Sequence, residues 1–355
     1  MSFDEIIGQD RVKAVLRLAL RHGRLPNSLL LAGPDGVGKR MLALTLAQAL
    51  NCLTAGDDAC GRCSSCLAIA KGWEDESRAG FPDLIEIVPG GPEEPPDEPP
   101  EKKDKKDEEA GKNSTKIRQV RYLKYYAYRK PMVGKKRIFL ISQAEKMTPG
   151  AASAFLKVLE EPPPLTHFIL TTSFPDLILP TITSRCMVLR LGLIPREEIE
   201  RLLLAQGWEA DRARVMAFHS GGSLEAALQA DWEEVEARRK RAWELLRSLL
   251  RREGGAEFVA DFASLRRTQA AGELTDLWET MGLFLRDLLL AVEGGDNRLA
   301  MNPDYEPEVR SLAAGLSRAK ILGALAGLDR ALAGLEKNLN LGLLVSAFYS
   351  DIIEK

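Results

Sequence analysis

Short, nearly continuous apolar runs alternate with longer helical stretches through the first half of the chain. Runs of this kind are typical of parallel strands, which helices bury on both faces. The pattern therefore predicts an α/β core, a parallel sheet with helices on both faces. The predicted strands are "SLLLA" (28–32), "LIEIV" (84–88), "RIFLIS" (137–142), "HFILTT" (167–172) and "MVLRL" (187–191).

The strand-like runs stop after about residue 193. In "PREEIERLLLAQG", Pro195 stands at a helix start, acids fill the first turn and Gly207 ends the element. Helical spacing of apolar residues then continues to the last residues, for example in "LTDLWETMGLFLRDLLLAV". We predict three domains: the α/β core over 1–193, a small helical lid over 194–235 and an all-helical domain over 236–355.

The segment 92–116 interrupts the core. It contains no aromatic or branched aliphatic residue, and Pro, Glu, Asp and Lys dominate it. Such a segment has almost nothing to bury, so we predict a solvated, disordered insertion and assign it no function.

The composition is that of a soluble globular protein, with 45% apolar and 28% charged residues in 355. This length suits two or three domains. A formal charge of −2 gives no overall case for binding nucleic acid. The opening "MSFDEIIGQD" has no apolar signal region, and no run reaches the roughly 18 apolar residues of a membrane helix. We therefore expect a cytoplasmic protein without a membrane partner.

The stretch "GPDGVGKR" (33–40) comes close to a phosphate-binding loop, whose backbone N–H groups and lysine meet a nucleotide's phosphates. Gly33, Gly36, Gly38 and Lys39 keep that pattern. Arg40 stands where a Ser or Thr oxygen would bind magnesium. The alternative is a glycine turn that only packs a helix on the sheet. The strand before the loop and the helix after it favour a working or former nucleotide pocket, and ATP or ADP binding stays open.

The second half of a hydrolytic site would be an acidic pair at the end of a neighbouring strand, one acid for magnesium and one to activate water. After "RIFLIS" these positions are Ser142 and Gln143, and Glu145 lies two residues past the expected catalytic position. With both halves changed, we predict that this chain does not hydrolyse ATP.

Four cysteines are closely spaced as C-x7-C-x2-C-x2-C: Cys52, Cys60, Cys63 and Cys66. Four thiolates at this spacing suit tetrahedral zinc and leave no open position for catalysis, so we predict a structural zinc site. The alternatives are a redox pair or unligated thiols. The fifth cysteine, Cys186, is most simply a buried apolar residue.

The stretch "KIRQVRYLKYYAYRKPMVGKKR" (116–137) combines basic residues with four tyrosines. It can meet a nucleic-acid backbone. An amphipathic helix with Ile117, Val120 and Ala127 inward and solvated basic side chains explains the pattern at least as well.

Several motifs in order resemble a known family. "FDEIIGQDRV", "GPDGVGK", the four-cysteine module, "ASAFLKVLEEPPPLTHFILTT" and "LPTITSRC" are similar to those of bacterial DNA polymerase III clamp-loader subunits, which are AAA+ proteins. The resemblance spans about residues 3 to 225. It implies an AAA+ core with a zinc module inserted at 52–66, a helical lid (194–235) and an oligomerising collar domain (236–355).

Within that family the chain resembles the delta-prime kind rather than the gamma/tau motors. "FPDLIEIVPG" has the Pro-Asp-Leu form of delta-prime. Arg40 and Ser142-Gln143 replace motor residues, and Glu225 stands where motors carry a sensor arginine. The resemblance implies gamma/tau motor subunits and the delta subunit as partners, with the sliding clamp and primer-template DNA, in the DNA polymerase III holoenzyme.

The "SRC" motif is intact at Ser184, Arg185 and Cys186. In the family this arginine enters the ATP site of the adjacent motor subunit, an arginine finger supplied in trans. By position alone Arg185 would be a surface arginine after a turn. The leading hypothesis is a non-hydrolysing delta-prime-like subunit that supplies Arg185. One alternative is an active motor ATPase in which Glu145 or another acid substitutes. Another is a zinc-dependent DNA-binding protein using 116–137, which the near-neutral charge disfavours.

Overall fold

The structure is a computed structural model that describes residues 2–54, 56–74, 81–91, 113–252, 267–296, 299–337 and 339–353. The chain divides into two compact units, one of residues 1–198 with 222–225 and one of residues 199–221 with 226–355. Residues 92–112 of the predicted insertion lie outside the described residues.

The first unit is built on a five-stranded sheet in the order β2-β3-β4-β1-β5, in which every neighbouring pair is parallel. The predicted parallel sheet is therefore confirmed, and each strand lies within about a residue of its predicted position. The strands are β1 (Ser28–Ala32), β2 (Leu84–Ile87), β3 (Arg137–Ile141), β4 (Thr166–Thr172) and β5 (Met187–Arg190).

Helices cover both faces of this sheet, as the continuous apolar runs predict. Leu29 and Leu31 of β1 pack in one cluster with residues of α1 and α2, whereas Leu30 packs in the opposite cluster with α4 and α5. Alternating side chains of a strand point to opposite faces, so a run buried on both sides must be apolar throughout. The helices are α1 (Asp10–Arg21), α2 (Lys39–Asn51), α3 (Ser64–Glu74), α4 (Ile117–Ala127), α5 (Pro149–Glu160) and α6 (Pro180–Thr183).

The end of the predicted insertion belongs to the core. Thr115 is fully buried; its N–H donates to Lys146 O at 2.9 Å and its carbonyl accepts from Thr148 N at 3.0 Å. The lack of apolar residues in the segment does not predict this burial, because backbone hydrogen bonds hold Thr115 in place.

The second unit is helical, and an apolar cluster that includes Trp278, Phe284 and Phe348 lies in its core. Arg239 is fully buried there and pairs with Asp304. Residues 194–198 and 222–225 of the predicted lid (194–235) fall in the first unit, and its other residues fall in the second. The helices from residue 196 onward are α7 (Arg196–Ala205), α8 (Ala210–His219), α9 (Leu224–Gln229), α10 (Trp232–Arg251), α11 (Arg267–Val292), α12 (Glu306–Ala313), α13 (Arg318–Glu336) and α14 (Leu341–Ile353).

Among the residues that the structure describes, no helix combines the length and the apolar character needed to span a bilayer.

Candidate functional site

The glycine loop connects the end of β1 to the start of α2. Gly36 and Gly38 have φ of 73° and 93°, in the left-handed region that favours glycine. A Cβ on Gly33 would lie 2.4 Å from Leu191 O, and one on Gly36 would lie 1.9 Å from Ser223 Oγ. The loop therefore requires Gly33 for close approach to the backbone of Leu191, and Gly36 and Gly38 for their positive φ. It has the strand–loop–helix form that a phosphate loop needs, at the carboxyl edge of a parallel sheet.

Lys39 folds back onto the loop that precedes it. Its ammonium donates to Gly33 O at 2.7 Å, Pro34 O at 2.6 Å and Ser173 Oγ at 2.8 Å, and Asp35 Oδ1 lies 3.4 Å away. Burial lowers the pKa of Lys39, and the Asp35 carboxylate opposes that shift. A phosphate group would have to replace several of these acceptors.

The Arg40 side chain forms an ion pair with Glu86 on β2. Arg40 Nε donates to Glu86 Oε1 at 2.9 Å and its NH2 donates to Oε2 at 2.7 Å, a bidentate ion pair. This pairing raises the pKa of Arg40. Ser142 Oγ donates to the same Glu86 Oε1 at 2.9 Å.

The two positions changed from the hydrolytic pattern thus meet on one carboxylate. Arg40 replaces a magnesium-binding hydroxyl and Ser142 replaces a magnesium-binding acid, and Glu86 joins them. Sequence reasoning missed Glu86. Its only signal was a charged residue inside an otherwise apolar strand.

Two other acids lie near the loop. The negative charges of Glu145 and Glu225 raise the pKa of Lys39, so both carboxylates lie near enough to attract its ammonium. Glu145 Oε2 is buried without a hydrogen-bond partner in the described structure, and Gln143 is exposed.

Arg185 lies just after α6 on the surface, with 36% of its side chain exposed. Its NH1 donates to Thr181 O at 3.0 Å and its NH2 donates to Glu160 Oε1 at 3.0 Å. Glu160 ends α5 and is itself exposed. The guanidinium is thus accessible from outside the chain, and one exposed hydrogen bond and one surface ion pair hold it.

The four spaced cysteines converge. All five cysteines of the chain are free thiols, and the Sγ atoms of this group lie within 4.8 Å of one another. Tetrahedral zinc with Zn–S of about 2.3 Å would place the sulfurs about 3.8 Å apart, so a small contraction suffices. Cys52 and Cys66 are buried, while Cys60 and Cys63 are half-buried. The group can therefore bind a metal ion.

Backbone N–H groups already stabilise negative charge on these sulfurs. The N–H groups of Cys60, Cys63 and Cys66 donate to the sulfurs of Cys52, Cys60 and Cys63, at 3.4, 3.4 and 3.5 Å. Backbone donation from Arg62 and Cys63 lowers the pKa of Cys60 to about 5. Burial raises the pKa of Cys66 to about 12. A metal ion is what would stabilise a thiolate at that buried position.

The loop between the first two cysteines is tied to the N-terminal segment. Asp58 accepts from Phe3 N at 3.0 Å and from Arg17 NH2 at 2.7 Å, and Asp57 pairs with Arg21. Phe3 is fully buried. The cysteine module is thereby anchored to α1 as well as to α2.

Asp83 of the "FPDL" motif has a structural role. Its carboxylate is fully buried and accepts backbone N–H groups of Met132, Val133 and Gly134 at 2.7 to 2.8 Å. Arg137, also buried, donates to the same carboxylate at 2.8 Å. Asp83 therefore fixes the turn that leads into β3.

The basic stretch forms an amphipathic helix, as one of the two interpretations expects. Of the three residues predicted to point inward, Val120 and Ala127 are buried and Ile117 is half-buried, whereas Arg121 and Lys124 are exposed. The helix places basic side chains on its exposed face, so this geometry is compatible with both interpretations.

These features define an α/β protein with a phosphate-loop sequence whose metal positions are replaced and with a four-cysteine cluster. Residues 8–194, a little over half of the chain, match the family described as "DNA polymerase III, delta subunit". The chain belongs to this family of DNA polymerase III subunits.

Relatives of both predicted kinds are similar to the chain. It is 32% identical over 206 residues to DNA polymerase III subunit gamma/tau of Mycobacterium bovis, covering 57% of this chain and 30% of that protein. It is 28% identical over 250 residues to subunit delta' of Bacillus subtilis, covering 70% and 68%. The chain thus spans about a third of the length of the gamma/tau relatives that it matches.

Among solved structures, a DNA polymerase III gamma subunit-related protein from Thermotoga maritima aligns over 96% of this chain and 98% of its own. The sequence identity is 17% and the TM-score 0.41, a likeness too distant to bear on function.

Proposed function

We propose that this chain is a non-hydrolysing, delta-prime-like AAA+ subunit of the replicative clamp loader. It would assemble with gamma/tau motor subunits and the delta subunit, present Arg185 to a neighbour's ATP site and help to load the sliding clamp on primer-template DNA. The observation that carries the proposal is the Arg40–Glu86–Ser142 network, in which both magnesium-binding positions are replaced and joined.

The accessible guanidinium of Arg185 supports the proposed role in a neighbour's ATP site. An arginine that completes a neighbour's site needs an accessible guanidinium and no competent pocket of its own. Arg185 is on the surface, and its partner Glu160 is more exposed than Arg185 is. A surface pair of this kind is worth about 0–1 kcal/mol, so leaving it for a phosphate costs little.

Adding the purified chain to motor subunits should raise their ATP turnover, because it completes a site that the motors alone leave without an arginine. The measurement is steady-state phosphate release by the motors with and without the chain, in the presence of clamp and DNA. A complex that forms without any change in turnover would contradict the proposal.

The second candidate is an active motor ATPase. Two observations favour it: the higher identity to gamma/tau proteins, and the position of Glu145 within electrostatic reach of Lys39. It requires an acid elsewhere to hold magnesium, because Ser142 has no carboxylate. Glu86, the carboxylate beside Ser142, is engaged by Arg40 on both oxygens, and for that reason we rank this candidate second.

We further propose that the cysteine cluster holds one structural zinc ion. Metal analysis of anaerobically purified protein should give about one zinc per chain. Chelation should loosen residues 52–66 and α1, because Asp58 connects the two. Cys52→Ser should lower the zinc content and the melting temperature without creating or removing any turnover. Protein that contains no metal after anaerobic purification would contradict this site.

A further inference from the structure

Both oxygens of Glu86 are engaged by groups from other elements. Oε1 accepts from Arg40 Nε and from Ser142 Oγ, and Oε2 accepts from Arg40 NH2. Arg40 is the second residue of α2, Glu86 lies in β2, and Ser142 directly follows β3. Three elements therefore bring a cation, a carboxylate and a hydroxyl to one place at the carboxyl edge of the sheet.

This arrangement resembles a magnesium site in its charges, with the Arg40 guanidinium in the place of the ion and with Glu86 and Ser142 around it. In a magnesium-dependent loop, a hydroxyl after the loop lysine and an acid at a strand end hold the ion. Here Arg40, the residue after the loop lysine, supplies the positive charge. The Glu86 carboxylate comes from β2 and contacts Ser142, which stands at the end of β3. A guanidinium stays charged at every physiological pH and matches a carboxylate with two parallel hydrogen bonds.

We propose that Glu86 is a positioning residue that holds Arg40 in the place of the divalent cation, and that this pair excludes magnesium from the phosphate loop. The inference rests on the proposed function, since it explains why the loop lacks metal chemistry. Magnesium requires oxygen ligands in near-octahedral geometry, and both oxygens of the Glu86 carboxylate already accept a hydrogen bond from the Arg40 guanidinium, whose positive charge repels a second cation.

Removing the guanidinium alone should then uncover a metal site. In Arg40→Thr a hydroxyl returns to the position after Lys39, and the Glu86 carboxylate loses its counter-charge. A magnesium ion bound together with ADP would restore that charge and find oxygen ligands on both sides. In Arg40→Thr with Glu86→Gln, the hydroxyl is present but the anionic ligand is missing.

The test compares ADP binding in magnesium with ADP binding in buffer without added divalent cations, by calorimetry and by melting temperature; no chelator is used, so the cysteine cluster keeps its metal. The wild type should melt at the same temperature in both conditions. Arg40→Thr, and Arg40→Ser as a second variant, should bind ADP at least about tenfold more tightly with magnesium, a gain of about 1.4 kcal/mol. The double variant Arg40→Thr with Glu86→Gln should lose that dependence. Arg40 and Glu86 are both partly exposed, so each variant is expected to fold, which its unliganded melting curve checks.

Three results would overturn the inference: a wild-type chain that magnesium stabilises with ADP, single variants without magnesium dependence, or a double variant that keeps it. Each of these results would leave the proposed function of the chain untouched. Turnover by the wild-type chain would refute the non-hydrolysing role, whereas the metal dependence of ADP binding in the variants tests Glu86 alone.

Discussion

Arg185→Ala should reduce ATP turnover at the site that this chain completes by a factor on the order of 10³, the lower end of the range for arginine fingers supplied in trans. The guanidinium stabilises charge that develops on the transferred phosphoryl group, and alanine leaves that charge without a partner. A reconstituted clamp loader should retain only the turnover of its other sites. The measurement is phosphate release by the complex with wild-type or Arg185→Ala chain at equal assembly.

Two matched variants separate a finger from a surface ion pair. Glu160→Gln removes the partner of Arg185 within the chain but keeps the guanidinium, so turnover should stay near the wild-type value. Arg185→Lys keeps the charge but loses the planar fork, so an intermediate loss is expected. If Arg185→Ala and Glu160→Gln reduce turnover equally, Arg185 acts through the ion pair and its role is structural.

Asp83→Asn should destabilise the first unit by about 3–5 kcal/mol, the usual cost of leaving a buried charge without its partner. The substitution removes the negative charge opposite buried Arg137. It also replaces one acceptor oxygen by an NH2 donor, which faces either the N–H groups of Val133 and Gly134 or the N–H group of Met132 and the Arg137 guanidinium. Such a loss is a large share of the 5–15 kcal/mol typical of a whole domain. Urea or thermal unfolding followed by circular dichroism measures it.

The same carboxylate predicts a pH dependence. Burial alone would raise the pKa of Asp83, but the three N–H donors and Arg137 outweigh it and hold the pKa below its ordinary value. A lowered folded pKa gives stability that is present above the unfolded value of about 3.9 and is lost as pH falls through the folded value. Asp83→Asn should lack this part of the acid transition. Asp176→Asn, at an exposed aspartate, is the control and should unfold like wild type.

The strands and the cysteine cluster were predictable because their signals are local. A strand buried on both faces must be apolar along its length, as Leu29 to Leu31 show, and the cysteines come together because only short turns separate them. The helical character of the C-terminal half was equally readable from its spacing of apolar residues.

The ion pair and hydrogen bonds around the phosphate loop were not predictable, because they join residues that are distant in sequence. Arg40 and Glu86 are 46 positions apart, and only the placement of β2 beside β3 brings Glu86 to Ser142. The motif around Asp83 was visible as a signature, but its partners at 132–134 and at Arg137 depend on a turn that apolar spacing does not encode. Thr115 was assigned to a disordered insertion for the same reason.

The most direct test of the central claim is ATP turnover by the isolated chain in magnesium, beside its Lys39→Ala variant. A subunit without its own metal chemistry should show no turnover above buffer, and the two proteins should be indistinguishable. Magnesium-dependent turnover by the wild type that Lys39→Ala abolishes would contradict the account and identify an active motor.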